Sequence, residues 1–118
     1  MAGDEAHILD MLQACRRVTE AIEGLSLQSF LSDWKLQSVV QHQLLILGEA
    51  AKRLSWEFRG AHPEIPWAAI AGQRDVLIHR YHGVDLEEVW IAATQKLPAL
   101  TRFLETVAPP EDSSSSGT

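Results

Sequence analysis

Cysteine is almost absent from this 118-residue chain, which contains Cys15 and no other thiol. A single cysteine cannot form an internal disulfide, and it cannot supply the thiolate set of a zinc ribbon. The composition therefore excludes a small domain held together by disulfides or by such a zinc site. A lone thiol at a helical core spacing fits a protein of the reducing cytoplasm.

Long apolar runs are also missing. The longest strongly apolar run covers residues 44–47, whereas a membrane span needs roughly 18 or more such residues. The N-terminal region carries charges that interrupt any apolar core of a signal peptide. These charges are Asp4, Glu5, Asp10, Arg16 and Arg17. We therefore expect neither a membrane span nor a secreted precursor, and we expect a cytoplasmic location.

Positive charge is scarce, with ten Lys and Arg residues against sixteen Asp and Glu and a formal net charge of −6. Non-specific binding of nucleic acid depends on the density of Lys and Arg, so the balance excludes a protein that coats nucleic acid over its whole surface. The basic residues form no run along the sequence. A local basic site would have to be assembled by folding or by the pairing of chains.

Helical periodicity is present from the start of the chain. Apolar residues recur at steps of three and four between residues 4 and 25, which is the stripe of an amphipathic helix. The stripe consists of Ile8, Leu12, Cys15, Val18, Ile22 and Leu25. Gly24 lies where this helix would stop, and residues 26–31 are expected to be a short connection.

A second helix is expected to begin at Ser32 or Asp33, because either side chain can accept hydrogen bonds from the free N–H groups of a first turn. Its apolar face extends to Leu54 and is so wide that the helix should be central. Gly48 in its middle costs helix propensity, which is tolerable where another backbone must pass closely.

A turn should follow this central helix, because Gly60 can adopt a left-handed conformation and Pro63 cannot continue a helix. Pro66 suits the first position of a new helix that would run towards Gly72. A second, short helix is then expected over residues 74–81.

The last helix should begin at Asp85, which has Glu88 three residues later as in a capping box, and Pro98 should bend or interrupt it. The pattern predicts one all-α domain over residues 1–107, an antiparallel bundle of about four main helices. Residues 108–118 have too few large apolar side chains to order themselves and are expected to be a disordered tail.

The densest polar cluster covers residues 73–82. On a helix, Asp75 and His79 lie four residues apart, so that the carboxylate can hold the imidazole N–H. Arg74 and Tyr81 lie seven apart, within about 20° of each other around the axis. Arg74 and His79 are separated by about 140°, so they can share one substrate only if the helix loosens or a second chain contributes.

Two other interpretations of this cluster stay open. A helix with Arg, Asp, His and Tyr is often a solvated surface stabilised by pairs four residues apart. Asp75, His79 and His82 are also spaced to line up as metal ligands, although two histidines and one carboxylate are an incomplete shell for structural zinc.

The order and spacing of several segments resemble a known family. The segments read LGEAAKRL at residues 47–54, HPEIPW at 62–67, IAG at 70–72, RDVLIH at 74–79, then Tyr81 and GVD at 83–85. They resemble the HepT-like family of minimal HEPN-domain proteins, the toxin half of HepT/MntA toxin–antitoxin modules. The family signature is Arg, four residues, His, one residue and Tyr. Arg74, His79 and Tyr81 match it, with Asp75 where the family has Asn or Asp.

The resemblance implies a metal-independent endoribonuclease that needs no cofactor and works as a homodimer, with transfer RNA or messenger RNA as substrate. His79 would remove the 2′-hydroxyl proton or protonate the leaving 5′-oxygen, and Arg74 would neutralise charge on the phosphate. Arg80 and His82 depart from the residues usual at these positions. Both are candidate RNA contacts, and Arg74 and Arg80 from two chains would form a local positive cleft.

The resemblance also implies control by a partner, an MntA-like minimal nucleotidyltransferase that attaches AMP to the tyrosine of the signature. In this chain that residue is Tyr81. An adenylylated phenol would place a phosphate near Arg74 and bulk over His79, which should close the cleft. The alternative function is a non-catalytic module that presents a docking surface to a nucleotidyltransferase.

Other residues are expected to support the structure. Glu49, in the apolar central helix, is predicted to be buried or half-buried, to pair with a nearby Arg or His such as Arg74, and to support the site together with Asp75. His62 is expected to be structural or solvated. The tryptophans fit core or dimer-interface anchors better than base-stacking platforms, and the sequence does not choose between these roles. They are Trp34, Trp56, Trp67 and Trp90.

Overall fold

The computed structural model of the chain describes the backbone of residues 2–79 and 85–110, with the side chains of residues 3–77 and 85–110. Within these ranges the elements are α1 (Ala2–Ile22), α2 (Leu27–Leu31), α3 (Trp34–Lys52), α4 (Trp56–Ala61), α5 (Trp67–His79), α6 (Leu86–Ile91), a π-helical turn (Ala92–Lys96) and α7 (Leu97–Val107). The last three follow one another without a break. Together with α1, α3 and α5 they make four main helices, so the predicted all-α bundle is confirmed.

The core forms where α3 packs against α1 and α5, and where α1 also packs against α7. The apolar stripe of α1 supplies much of it, and Cys15 and Val18 are fully buried. Burial raises the pKa of the Cys15 thiol to about 11. The assignment of Cys15 to the core is therefore confirmed.

Two predicted helix starts are present with their side-chain caps. The Asp33 carboxylate accepts the N–H groups of Lys35 and Leu36, both at 3.1 Å, and so begins α3. The Asp85 carboxylate accepts the N–H groups of Glu87 and Glu88 at 3.0 and 3.3 Å, and so begins α6. Each aspartate satisfies donors that the first turn of a helix leaves free.

Two short helices, α2 and α4, were expected to be connections. In α4 the Ser55 hydroxyl accepts the N–H of Phe58 at 3.0 Å. Ser55 in turn donates its own N–H and O–H to the buried Asp4 carboxylate at 2.8 and 2.7 Å. These contacts hold the first turn of α1 against the start of α4.

Gly60 lies inside α4, and Gly24 is the described glycine with a positive φ, of 77°. The predicted left-handed conformation of Gly60 is therefore wrong.

The predicted break between two helices near Gly72 is also wrong, because α5 is one continuous helix from Trp67 to His79. A glycine inside a helix costs only about 1 kcal/mol relative to alanine. The packing of α5 against α3 outweighs that cost. Of the expected short helix 74–81, residues 80 and 81 lie outside the described part of the chain.

The run from α6 to α7 is interrupted as predicted for Pro98. A proline has no N–H to donate to the carbonyl four residues earlier, and its ring crowds that carbonyl. The turn just before it widens into the π-helical segment Ala92–Lys96, after which Pro98 lies in the first turn of α7.

An aromatic corner closes the bundle between α4, α5 and α7. The ring of His62 lies 4.7 Å from that of Phe58 and 4.9 Å from that of Phe103, and its carbonyl accepts the indole N–H of Trp67 at 2.9 Å. His62 is therefore structural, as expected. After α7, Ala108 has an extended backbone. Residues 111–118 of the predicted disordered tail lie outside the described residues, and the domain boundary at residue 107 stays a prediction.

Among the described residues, no helix combines the length and the apolar character that a membrane span requires.

Candidate functional site

The candidate site lies where α5 crosses α3, and Gly48 makes this crossing close. A Cβ atom at position 48 would run into the Cβ of Arg74 and would lie 3.1 Å from the backbone oxygen of Ile70. Glycine is the residue that leaves room for such an approach. The predicted close passage of another backbone at Gly48 is therefore confirmed, and the passing helix is the one that carries Arg74.

Two carboxylates, one from each helix, hold the guanidinium of Arg74. Its Nε and Nη2 atoms donate to Oε2 of Glu49 at 2.9 and 2.6 Å, and its Nη1 atom donates to Oδ1 of Asp75 at 2.8 Å. The Nζ atom of Lys52 lies 3.4 Å from the same Asp75 oxygen. Glu49 is half-buried and paired with Arg74, which is the arrangement expected from the sequence.

These contacts shift the pKa values of the three groups in the directions that favour charge. Hydrogen bonding to Arg74 lowers the pKa of Glu49, and the charges of Arg53 and Lys52 act in the same direction. The bond to Arg74 also lowers the pKa of Asp75, with a further contribution from Lys52. Hydrogen bonds to Asp75 and then to Glu49 raise the pKa of Arg74. The result is a compensated set of two anions and two cations.

This set leaves Arg74 able to bind an anion. A guanidinium has five N–H donors, and the bonds to Glu49 and Asp75 use three of them. The Arg74 side chain is 24% exposed, so the group is not sealed inside the bundle. A guanidinium held in a fixed plane is well suited to phosphate oxygens, which accept parallel N–H donors. The carboxylates therefore orient Arg74 without using all of its donors.

His79 is the last described residue of the same helix, and its side chain lies outside the described part. Because α5 is a continuous α-helix, positions 74 and 79 are separated by about 140° around the axis and by roughly 7.5 Å along it. The two positions therefore lie on different faces of α5, as the sequence spacing indicates. One copy of this helix cannot turn both positions towards a single phosphate.

Several predicted contacts involve residues outside the described part and stay predictions. They are the hydrogen bond between Asp75 and His79, the approach of Tyr81 to Arg74, and the RNA contacts of Arg80 and His82. The described partners of Asp75 are Arg74 and Lys52.

Lys52 is the site residue that the sequence reasoning missed. It lies three positions after Glu49 on α3, so both side chains can face the same neighbouring helix. That spacing was the available signal. It could not be used without knowing that α5 crosses α3 at Gly48.

A groove of about 510 Å³ is lined by residues of α5, α6 and α7. Most of its described lining is apolar, and α5 contributes Ala69, Ile70, Gln73, Val76 and Leu77 to it. Val76 follows Asp75 directly and is 49% exposed. The groove therefore lies beside the Arg74 network on the same helix.

A metal site can be assessed only for the described residues, where no group of three His, Cys, Asp or Glu side chains is placed to hold an ion. The alternative ligand set of Asp75, His79 and His82 contains two residues whose side chains lie outside that part. It stays a prediction.

The fold and the site together define a class: a small helical bundle with an arginine anchored at a helix crossing and a histidine five residues later. The family model described as "Ribonuclease HepT-like" matches residues 11–107. A protein named "Putative RNase" from Caldanaerobacter subterraneus subsp. tengcongensis is 37% identical over 107 residues, covering 91% of this chain and 96% of the relative. No solved structure gives a significant match.

Archaeal relatives agree with this assignment. A "Probable ribonuclease HepT" from Thermococcus cleftensis is 37% identical over 94 residues, covering 80% of this chain and 86% of the relative. A relative from Methanocaldococcus jannaschii, also named as an RNase, is 31% identical over 102 residues, covering 86% of this chain and 84% of its own. The chain belongs to the ribonuclease HepT-like family, and the expected resemblance is confirmed. It is a ribonuclease by class.

Proposed function

We propose that the chain is a metal-independent endoribonuclease toxin that acts as a homodimer on transfer RNA or messenger RNA. The observation that carries the proposal is Arg74, an oriented guanidinium with donors that no described residue accepts, on the helix that carries His79. Family membership adds the ribonuclease class.

The cleavage step needs a base, an acid and a stabiliser of negative charge. The 2′-oxygen attacks the adjacent phosphorus while one imidazole of His79 takes the 2′-hydroxyl proton. The bond from phosphorus to the 5′-oxygen breaks, and the imidazole that has taken the proton, or a water molecule, supplies the proton that this oxygen needs. Arg74 neutralises charge on the phosphate oxygens in the transition state. The products are a 2′,3′-cyclic phosphate and a 5′-hydroxyl end.

A homodimer fits this chemistry because each of its two sites can combine Arg74 of one chain with His79 of the other. The 140° separation on one helix is then no obstacle, since Arg74 from one chain and His79 from the other can face the same phosphate. The apolar groove along α5 supports pairing in this region, because an exposed apolar surface is stabilised when a second chain covers it.

The direct test of the proposed activity is cleavage of RNA by the purified chain in EDTA. We expect the parent to cut, and Arg74→Ala and His79→Ala each to lose activity with little change in melting temperature. Arg17→Ala and His42→Ala are matched controls, because both residues are exposed and lie away from the α3–α5 crossing. Cleavage that requires zinc or manganese would instead support the Asp75, His79 and His82 ligand set.

We further propose that a cognate MntA-like nucleotidyltransferase neutralises the toxin by attaching AMP to Tyr81. The support is the match of Arg74, His79 and Tyr81 to the family signature, and the donors of Arg74 that no described residue accepts and that the added phosphate could engage. With ATP, magnesium and the partner, the parent should gain AMP and lose cleavage. Tyr81→Phe should resist both changes.

Mass spectrometry of the modified parent locates the AMP. AMP on a serine or threonine, with Tyr81 unmodified and cleavage lost, would contradict this part of the proposal. A parent that leaves RNA intact in every condition but accepts AMP on Tyr81 would support the alternative, a non-catalytic module that serves a nucleotidyltransferase.

A further inference from the structure

Two tryptophans, Trp34 and Trp56, lie on the surface with 70% and 81% of their area exposed. Core packing therefore does not explain either of them. The guanidinium carbon of Arg59 lies 4.6 Å from the centre of the Trp56 ring, which is a cation–π distance. The Nε atom of Arg59 has no hydrogen-bond partner among the described residues. Arg59 thus supports part of the Trp56 ring, and the high exposure leaves the rest of it accessible.

The stretch of sequence around Trp56 carries more cations than anions although the chain as a whole is acidic. Residues 52–59 contain Lys52, Arg53 and Arg59 against Glu57, in a protein with a net charge of −6. Lys52 and Arg53 are exposed. Both lower the pKa of Glu49, so their charges reach the Arg74 network. We call residues 52–59 the basic–aromatic segment.

This segment lies close to the candidate site. Lys52 contacts Asp75 at 3.4 Å, and Asp75 contacts Arg74. Trp56 follows Lys52 by four residues, so their Cα atoms are separated by at most about 15 Å. Four to five stacked nucleotides cover that distance at roughly 3.4 Å each.

We propose that Trp56 is a stacking platform for a base of single-stranded RNA, a few nucleotides from the phosphate that Arg74 binds. The inference rests on the proposed ribonuclease function and adds a binding subsite to it. Lys52 and Arg53 neutralise the phosphates between the two points, and Arg59 holds the indole ring. An exposed indole among cations is the combination that binds single-stranded nucleic acid with little sequence preference.

Binding to a chain that cannot cut isolates this subsite from catalysis. In a His79→Ala background, the affinity for a fluorescently labelled single-stranded RNA of about ten nucleotides is measured by anisotropy. Trp56→Ala should weaken binding roughly tenfold, the loss of one base–aromatic stack. Trp56→Phe should retain most of the affinity, because a phenyl ring still stacks. Lys52→Gln should reduce the salt dependence of binding by about one phosphate contact.

Trp34→Ala is the matched control, because Trp34 is also exposed and has a cation, Lys35, 5.9 Å from its ring. It lies at the opposite end of α3 from Lys52. Affinity that is unchanged in Trp56→Ala, or reduced equally by both alanine variants, overturns the inference. Unchanged RNA affinity together with lost binding of the nucleotidyltransferase would assign the segment to a protein partner and overturn it as well.

The outcomes separate this inference from the proposed activity. An intact parent that binds RNA through Trp56 but never cuts it would contradict the proposed cleavage and keep the subsite. A parent that cuts RNA with the same KM and kcat as its Trp56→Ala variant would support the proposed cleavage and contradict the subsite. No binding of RNA by the His79→Ala chain overturns the subsite.

Discussion

At the scale of single residues, the guanidinium of Arg74 is constrained before any substrate arrives. Glu49 binds two of its nitrogens from the neighbouring helix, and Asp75 binds a third from its own helix. Rotation of the long side chain is thereby restricted, so less entropy has to be lost when a phosphate binds. In the proposed site Glu49 would be a positioning residue, since it would act through Arg74.

Removing the charge of Glu49 should therefore change stability in a pH-dependent way. Its pKa is lowered in the folded chain by the hydrogen bond to Arg74. A carboxylate with a lowered folded pKa stabilises the fold above its unfolded pKa, here near the ordinary value of 4.5, and loses that contribution as the pH falls through the folded pKa. Glu49→Gln should melt below the parent at pH 7, and the difference should shrink between pH 5 and about pH 3.

Melting temperatures at several pH values check this prediction, with Glu20→Gln, an exposed substitution on α1, as the control. A difference between Glu49→Gln and the parent that stays constant down to pH 3 would assign it to packing instead of charge. Activity adds a second readout. Reduced cleavage with an intact fold at pH 7 is expected, because Arg74 loses its orientation.

The residue scale also shows what a sequence can predict. A carboxylate on an apolar helix face needs a partner, so a pairing of Glu49 with an Arg or His such as Arg74 could be predicted. The contact of Lys52 with Asp75 could not. Both are surface residues with many available partners, and only the crossing of the helices selects this pair.

At the scale of elements, the crossing of α3 and α5 depends on the absence of a side chain at Gly48. Alanine there would force α5 away from α3, because its Cβ would meet the Cβ of Arg74 and the carbonyl of Ile70. Overpacking of this kind costs about 1–3 kcal/mol, more than the helix propensity that alanine gains. We therefore expect Gly48→Ala to lower stability and to impair cleavage by shifting Arg74 from Glu49.

Gly72→Ala is the control for this prediction, because Gly72 lies within α5 and an added Cβ meets nothing within 4 Å. Its substitution should stabilise the chain by about 0.5–1 kcal/mol through helix propensity. Chemical denaturation of the two variants measures both effects. Equal stabilisation by both substitutions would mean that the crossing can relax without cost.

The elements that could be predicted are those whose signals are local. Asp33 and Asp85 cap their helices with their own side chains, and Pro98 disrupts the turn before it. The short helix α4 also has a local cap, Ser55, but the turn signals of Gly60 and Pro63 masked it. The contact that fixes Ser55 to Asp4 could not be predicted, since the two residues are distant in sequence. The continuity of α5 through Gly72 is likewise a result of tertiary packing.

At the scale of the whole molecule, the 140° separation on α5 gives a prediction about pairs of chains. Arg74→Ala and His79→Ala chains should each be inactive alone. Mixed and allowed to exchange subunits, they should recover part of the parent activity, because one composite site in the heterodimer keeps Arg74 from one chain and His79 from the other. RNA cleavage by the mixture, with sedimentation to confirm dimers, is the measurement.

No recovery after demonstrated exchange of subunits would contradict sites shared between chains. Full activity of a strictly monomeric parent would contradict shared sites more directly. A second pair, in which both chains carry Arg74→Ala, controls for contamination, since it lacks the guanidinium in every site.

The buried Cys15 allows transient opening of the core to be measured by thiol labelling. Cys15 is the single thiol and is buried on α1, which packs against α3 and α7, so we expect a disulfide reagent to react with it only when this core opens. Its raised pKa slows the reaction further in the closed state. The labelling rate of Cys15 therefore measures how often the bundle opens, and no probe has to be attached beforehand. Comparing the labelling rates of Cys15 with and without RNA would show how far RNA binding suppresses opening of the core.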